Sequence, residues 1–471
     1  MRNGDREREP AGCYRRYQAG TSNRSSARSG RSRRRGRQWL AIFAALAVLA
    51  LLAVGFSRGG TPGPHSPSAS LGRGQSPRYV AAAKLDQILA RHHLALSSVG
   101  LLACDFQGRT IAKLNVDALF VPASNEKLLT TSAAAAILGL GYRFRTRVLL
   151  SGDARIQAGV ISGDVILKGG GDPTLTVGSS APATGQYQLA CFSPRLLGTS
   201  RLEEVVESLR SQGIRRIDGS VLADSSAFSA RTSLDCWTPD QSSWCPPLSG
   251  LAVNENEGVR GDPGLAAAAR LTMLLQKNGV AVDGQPGTAE RAAQGRLICT
   301  VVSAPLRQIL AAMNEESDNF LAEMLLRSLG WKREGVGTSD AGTRAVLSHL
   351  AKVGIEGGRA SILDGSGLSE QDRLSPRLLV RLLVRDSHTL PDLLPVAGRT
   401  GTLATRMVGT VAEGVVRAKS GSLHNACCLS GYVMDGDQPI AVFSILCAAS
   451  PEQAESAVDE IAAAFAAAAT R

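Results

Sequence analysis

Several patterns from which metal, redox and nucleotide chemistry are built are missing from this chain. Its nine cysteines include no C-x-x-C and its six histidines no H-E-x-x-H, so metal ligation lacks support. No G-x-G-x-x-G occurs. Gly169-Gly170-Gly171-Asp172-Pro173 follows a strand-like run, but Pro173 and the spacing make it a turn. No internal repeat stands out. Lysine is scarce, eight in 471 residues, and acidic residues are thin at one end: within residues 1–38, twelve arginines face only Asp5, Glu7 and Glu9. That tail holds +9 of the formal +11, leaving +2 for the other 433 residues. A body so nearly neutral argues against nucleic acid as a partner; the tail's simpler role is topology and attraction to anionic lipid.

Charge is also absent from Trp39 to Phe56, eighteen residues that as a helix would rise about 27 Å, close to the hydrocarbon thickness of a bilayer. Residues 39–56 are therefore expected to be a single transmembrane anchor, with the Arg-rich tail 1–38 inside and the rest outside. No clear A-x-A site follows the run, which favours an uncleaved anchor over a cleaved signal and a secreted product. Residues 57–77 hold five Gly, four Pro and five Ser, a composition that cannot pack a core and reads as a flexible linker. Gly55-Phe56-Ser57-Arg58-Gly59 has nucleophile-elbow spacing, yet it straddles the membrane exit instead of a strand–turn–helix.

With 44% hydrophobic content, the remainder can bury two or three domain-sized cores. Leu85, Ile88 and Leu89 have helical spacing, followed by strand-like runs at 99–104 and 110–114. At the other end, 415–419, 429–433 and 440–447 read as strands, and Ala454, Val458, Ile461 and Phe465 mark a last helix. The two ends are expected to share one antiparallel sheet covered by both terminal helices, an α/β (α+β) arrangement. Helices are expected over 122–138, 306–313 and 320–329. Residues 145–300, richer in strand and turn signals, read as an inserted domain dividing a catalytic domain of 78–144 and 301–471. Eight cysteines lie beyond the anchor, and an oxidising compartment permits disulfides there; Cys236 with Cys245 is the one expected pairing, closing a short loop beside Trp237 and Trp244.

Against this background three strings stand out, each present once: Ser124-Asn125-Glu126-Lys127, Ser317-Asp318-Asn319 and Lys419-Ser420-Gly421. Two of only eight lysines fall inside them. Ser124 and Lys127, three apart at a helix start, share a face, so the amine can reach the hydroxyl and, when neutral, take its proton. Burial and the nearby charge of Lys419 would favour that neutral form. The unpaired Ser124 N–H at the helix start and the Ser422 N–H can donate to a developing oxyanion. Ser317 can relay a proton to the leaving nitrogen, and Asn319 can hold Lys127 and the substrate backbone. Lys419 and Ser420, at a strand end, suit a terminal carboxylate, and Gly421 lets substrate approach the backbone.

These strings resemble the trio of penicillin-binding proteins and class A β-lactamases, with Lys-Ser-Gly standing for the usual K-T-G and keeping the hydroxyl. With Gly169–Leu175, Val253–Asn256, Asp364–Ser369 and Gly398–Leu403 in the same order, residues 80 to 466 resemble the class C low-molecular-mass penicillin-binding proteins, the D-alanyl-D-alanine carboxypeptidase/endopeptidase family. The resemblance implies a penicillin-recognising serine transpeptidase/β-lactamase-like fold and an acyl-enzyme on Ser124. It implies peptidoglycan stem peptides and β-lactams as partners, and no cofactor. Family members often carry a second insertion, which is missing here, because Asn254-Glu255-Asn256 runs almost directly into the helical stretch 264–277. Asp224 matches a family position thought to hold the amino end of the peptide side chain. After Asp364–Ser369 the family frequently places an Arg that meets a side-chain carboxylate; Glu370 stands here, which puts diaminopimelate-type recognition in question. A class A β-lactamase needs a Glu-x-x-x-Asn pair between the last two strings, and no Asn occurs from 320 to 424, which closes that route. A catalytically silent wall-binding scaffold is the alternative, but a scaffold has no physical need for a desolvated lysine beside a serine.

Overall fold

The structure, a computed structural model, describes residues 79–178, 200–289 and 293–470. The tail, the expected anchor and the linker lie outside them. No helix among the described residues is long and apolar enough to cross a membrane.

The ends of the chain meet in one five-stranded antiparallel sheet, in the order Val416–Leu423, Ala426–Asp435, Gln438–Cys447, Val99–Asp105, Thr110–Leu114. Both faces of its middle strands are buried, so they are apolar almost without interruption. Side chains alternate between two cores. Cys427, Leu429, Val433 and Phe443 face the helices Ala82–Arg91 and Pro451–Ala469, which contribute Leu85, Ile88, Leu89, Val458, Ile461 and Phe465. Cys428, Tyr432, Val442 and Leu446 face the other way, onto a helical layer that includes Lys127–Ile137, Leu306–Glu316, Asn319–Glu334, Ser339–Lys352 and Pro376–Arg385. Each large apolar side chain fully buried this way contributes about 1.5–3 kcal/mol before entropy is counted.

Strands between 145 and 302 build a second sheet with its own core, while residues 227–252 pack on Phe320, Met324 and Leu368. Gly287–Thr288, Val221–Asp224, Val165–Lys168, Arg145–Leu150 and Arg296–Val302 form a second five-stranded sheet, part parallel and part antiparallel. The helices Glu203–Ser211 and Pro263–Lys277 pack on it through Val205, Leu209, Ala267, Leu271 and Leu275. The region is thus less purely strand-and-turn than its sequence suggests, because parallel strand pairs need crossover helices.

Three further readings change. The Lys419 strand does not end at 419 but continues to Leu423, so the motif sits within the strand. The Ser124 helix opens with a 3₁₀ turn, Ala123–Glu126, before the α-helix Lys127–Ile137. The expected Cys236–Cys245 bridge is not made: Cys236 is a free thiol, and burial together with the carboxylates Asp364, Asp372 and Glu323 pushes it up to about 12, an unreactive state.

Candidate active site

The 3₁₀ turn decides how Ser124 meets Lys127. In a 3₁₀ helix, side chains three apart eclipse, so the lysine stands directly over the serine. Lys127 Nζ lies 2.9 Å from Ser124 Oγ. The residue before the nucleophile, Ala123, has φ +46°, a left-handed conformation that costs a non-glycine residue roughly 1–2 kcal/mol. Gly367 makes the bend possible from the opposite side: at φ +79° it also leaves room for the Ala123 carbonyl, which a Cβ there would approach to 1.9 Å.

Lys127 is fully buried, and its amine also donates to Asn319 Oδ1 at 2.7 Å and to the Ser366 carbonyl at 2.8 Å. Both of these partners can only accept. The Ser366 carbonyl is aimed by Asp364, whose carboxylate takes the N–H groups of Ser366, Gly367 and Ser369 and the indole N–H of Trp237, folding residues 364–369 into a tight loop.

Ser317 ends the helix Leu306–Glu316 in the left-handed region (φ +60°), and Asp318 caps the next helix by accepting from the Leu321 N–H. This sharp junction presents Ser317 and Asn319 together. Asn319 Nδ2 donates to the Trp244 carbonyl at 3.0 Å, tying the junction to the inserted region. Lys419 Nζ donates to Ser317 Oγ and to the Ser420 carbonyl, both at 2.9 Å. Burial first, then the charges of Lys127 and Arg406, hold Lys419 well below the usual lysine range.

The strand Val416–Leu423 lies at the sheet's edge, and the Ala418 N–H donates outward to the Pro395 carbonyl. By the two-residue alternation of a strand, the N–H groups of Ser420 and Ser422 turn the same way. Ser420 Oγ donates to Thr402 Oγ1 at 2.8 Å. Gly421 leaves the space through which Asn125 and the Ser124 segment approach; a Cβ there would lie 2.8 Å from Asn125 Nδ2 and from the Pro122 carbonyl.

A cleft of about 1030 Å³ runs over these groups, with Ser124, Ser317, Asn319, Ser420 and Ser422 on its wall. Of the residues expected from sequence, Ser124, Lys127, Ser317, Asn319, Lys419, Ser420, Gly421 and Ser422 converge here. Asp224 does not join them. It is buried in the second sheet, its carboxylate taken by Lys168 at 3.2 Å and by the Ser226 and Ala293 N–H groups. Three participants were not foreseen: the Ser366 carbonyl, Thr402 and Arg406. Thr402 lies within the block Gly398–Leu403 noted in the sequence, whereas a backbone carbonyl leaves no sequence signal.

Beneath Ser124 lies a second, buried set of acids. Glu126 is fully buried with neither carboxylate oxygen paired, and burial plus the neighbouring Asp364 and Glu323 push it far above the usual carboxylate range. Glu323 Oε1 accepts from the Gly365 N–H, and its carboxyl is raised to about 8 by burial and Asp364. These neutral acids let a cluster of carboxyls sit under the motif without mutual repulsion.

Residues 81–260 and 259–468 match the model of the D-Ala-D-Ala carboxypeptidase 3 (S13) family. The chain is 31% identical over 367 residues to Carboxypeptidase DacB of Mycolicibacterium smegmatis, covering 73% of this chain and 74% of that protein. It is 28% identical over 416 residues to a D-alanyl-D-alanine carboxypeptidase of Actinomadura sp., covering 69% and 73%. The solved structure of penicillin binding protein 4 (dacB) from Haemophilus influenzae superposes with a TM-score of 0.67 at 22% identity, over 82% of this chain and 98% of that one, a likeness of fold. The chain belongs to the D-Ala-D-Ala carboxypeptidase 3 (S13) family of peptidases.

Proposed function

We propose that Ser124 is the acylating nucleophile of a serine D,D-peptidase that cleaves the D-Ala-D-Ala end, or D-alanyl cross-links, of peptidoglycan stem peptides. The observation that carries this is the placement of the Lys127 amine within hydrogen-bond reach of Ser124 Oγ, Asn319 Oδ1 and the Ser366 carbonyl. A neutral amine has two hydrogens and one lone pair. Asn319 Oδ1 and the Ser366 carbonyl can only accept, so in a neutral amine they are placed to take its hydrogens while the lone pair turns to Ser124 Oγ. Lys127 is then placed to remove the serine proton as Oγ attacks the penultimate D-alanine carbonyl.

The rest of the cleft fits the remaining steps. A terminal carboxylate lying against Ser420 and Thr402 supplies Lys419 with a counter-charge and favours its protonated form. Ser422 N–H, turned outward on the strand edge, and the Ser124 N–H stabilise the tetrahedral oxyanion. Ser317, within 2.9 Å of Lys419 Nζ, passes a proton to the departing amine. Water then frees Ser124. A β-lactam, which presents a carboxylate and a strained carbonyl to the same groups, acylates Ser124 in the same way.

Incubation with fluorescent penicillin tests the assignment. Covalent label should map to Ser124, and Ser124→Ala should lose the label and roughly three or more orders of magnitude of peptide turnover. A wild-type protein that takes no label would sink the reading. Residues 39–56 support a further reading, a single anchor that holds the peptidase outside the membrane; carbonate-resistant sedimentation of the full chain checks it, and complete release into the soluble fraction would refute it.

A further inference from the structure

Charge of both signs surrounds the cleft. Its cations are the buried lysines Lys127 and Lys419 with Arg406, whose guanidinium already meets Asp459 at 2.6 Å and Glu455 at 3.4 Å. The described wall also carries the carboxylates Asp240, Glu316, Glu370, Glu452 and Glu455. Glu370 is held in place by three side chains. Its Oε1 accepts from Gln241 Nε2 at 3.2 Å and faces His424 Nδ1 at 3.3 Å, while its Oε2 accepts from Asn425 Nδ2 at 3.1 Å. It remains about a third exposed, 34% by side chain, and so is open to a ligand.

Its position along the substrate follows from the strand. A peptide laid antiparallel to Val416–Leu423 with its terminal carboxylate at Ser420 has its scissile carbonyl near Ser422. The residue before the two D-alanines, one residue beyond the scissile carbonyl at roughly 3.3 Å per residue, then passes beside Leu423, and its side chain can extend toward His424. Glu370 contacts His424 and Asn425, the residues that follow, and lines the same cleft as Leu423. Asp224, the other carboxylate offered by the sequence for an amine, is occupied by Lys168.

We propose that Glu370 is a specificity-determining residue: the counter-ion for an amine on the side chain of the stem-peptide residue preceding D-Ala-D-Ala, disfavouring a free carboxylate there. This rests on the D,D-peptidase reading above. A lysine-type or amidated diamino-acid side chain suits such a cleft, and an unmodified diamino-diacid suits it less. An ammonium gains a fixed partner, whereas a carboxylate would enter beside the carboxylates of Glu370 and Asp240.

Three peptides test this: Nα-acetyl-L-lysyl-D-Ala-D-Ala, the same peptide acetylated on the side-chain amine, and Nα-acetyl-L-glutamyl-D-Ala-D-Ala. Benzylpenicillin, which carries no amine, is titrated against each protein to count working Ser124 sites. The wild type should prefer the free amine over its acetylated form by about five- to tenfold in kcat/KM, a modest ratio because the pair is partly exposed, and should turn over the glutamyl peptide most slowly. Glu370→Gln should erase the amine preference, and Glu370→Arg should favour the glutamyl peptide. If penicillin titrates Ser124 and Glu370→Gln keeps the wild-type preference, the assignment of Glu370 is overturned while the peptidase reading stands. If penicillin leaves Ser124 unlabelled, both fall.

Discussion

Lys127 is where a single residue's chemistry can be isolated. Its amine must lose a proton to act as base, and a guanidinium at that position could not, since it stays charged above pH 12. Lys127→Arg keeps the positive charge and hydrogen-bond donors, so its effect separates base catalysis from charge. The rate of Ser124 acylation by penicillin should fall by about 10²–10⁴-fold, measured by stopped flow with the fold checked by thermal melting. An acylation rate within a few-fold of wild type would show that Lys127 acts as a charge and not as a base. Ser317 and Ala123 belong to the same scale. Both occupy left-handed backbone, at φ +60° and +46°, and both sit at a turn that aims a hydroxyl. Strain of this kind persists only where the surroundings enforce it, here Gly367 packing on the Ala123 carbonyl and Asp318 capping the following helix.

Among elements, the edge strand Val416–Leu423 matters most, because its inner side is paired and, past the Ala418–Pro395 bond, its outer side turns the Ser420 and Ser422 N–H groups toward a peptide. Gly421 is extended, so alanine would fit its backbone, but the new methyl would press on Asn125 and the Pro122 carbonyl. Gly421→Ala should therefore push the Ser124 turn away from the strand while the sheet survives. Acylation should drop on the order of 10²-fold for a displacement near 1 Å, with only a small change in melting temperature. Equal losses of stability and activity would mean that the strand itself had come apart. The 3₁₀ turn before Lys127–Ile137 is the complementary element, since it brings Lys127 over Ser124 more directly than α-helical spacing does.

For the molecule as a whole, the buried carboxyls set the response to pH. Glu126, Glu255, Asp318, Glu323 and Asp372 are all raised, chiefly by burial, with Asp318 near 7 and Glu323 near 8. In the unfolded chain these groups release their protons near pH 4, so between there and the folded values the native state binds more protons. Stability is then greatest at low pH within this window and is lost as pH rises through about 7 to 8, at up to roughly 1.4 kcal/mol per pH unit for each group that titrates. Lys419, shifted downward, works in the opposite sense above its folded value. The urea midpoint should fall from pH 5 to pH 8, and Glu323→Gln, which needs no proton to stay neutral, should flatten that fall. A midpoint that rises over the same range would overturn the assignment of neutral buried acids.

How much of this could be read before folding depends on the range of the forces involved. The three strings, the terminal strands and the helices on either side were legible because spacing within a few residues fixes which side chains share a face. The same local logic placed Ser124 over Lys127 and Ser317 beside Asn319. It failed where partners are remote: Asp224 looked available for substrate, but Lys168 on the neighbouring strand and the Ala293 N–H claim it. Cys236 and Cys245 are near in sequence and yet unbridged, and the strand carrying Lys419 runs past the point where its apolar pattern breaks. By itself the sequence determined the chemical groups, their order and their local pairing. Only the tertiary structure decided which carbonyls, Ser366 above all, orient the base, and which carboxylate, Glu370, is left facing the cleft. Those contacts join residues some 240 positions apart at Lys127, and about 130 and 55 apart at Glu370, and depend on packing of whole elements instead of spacing along the chain.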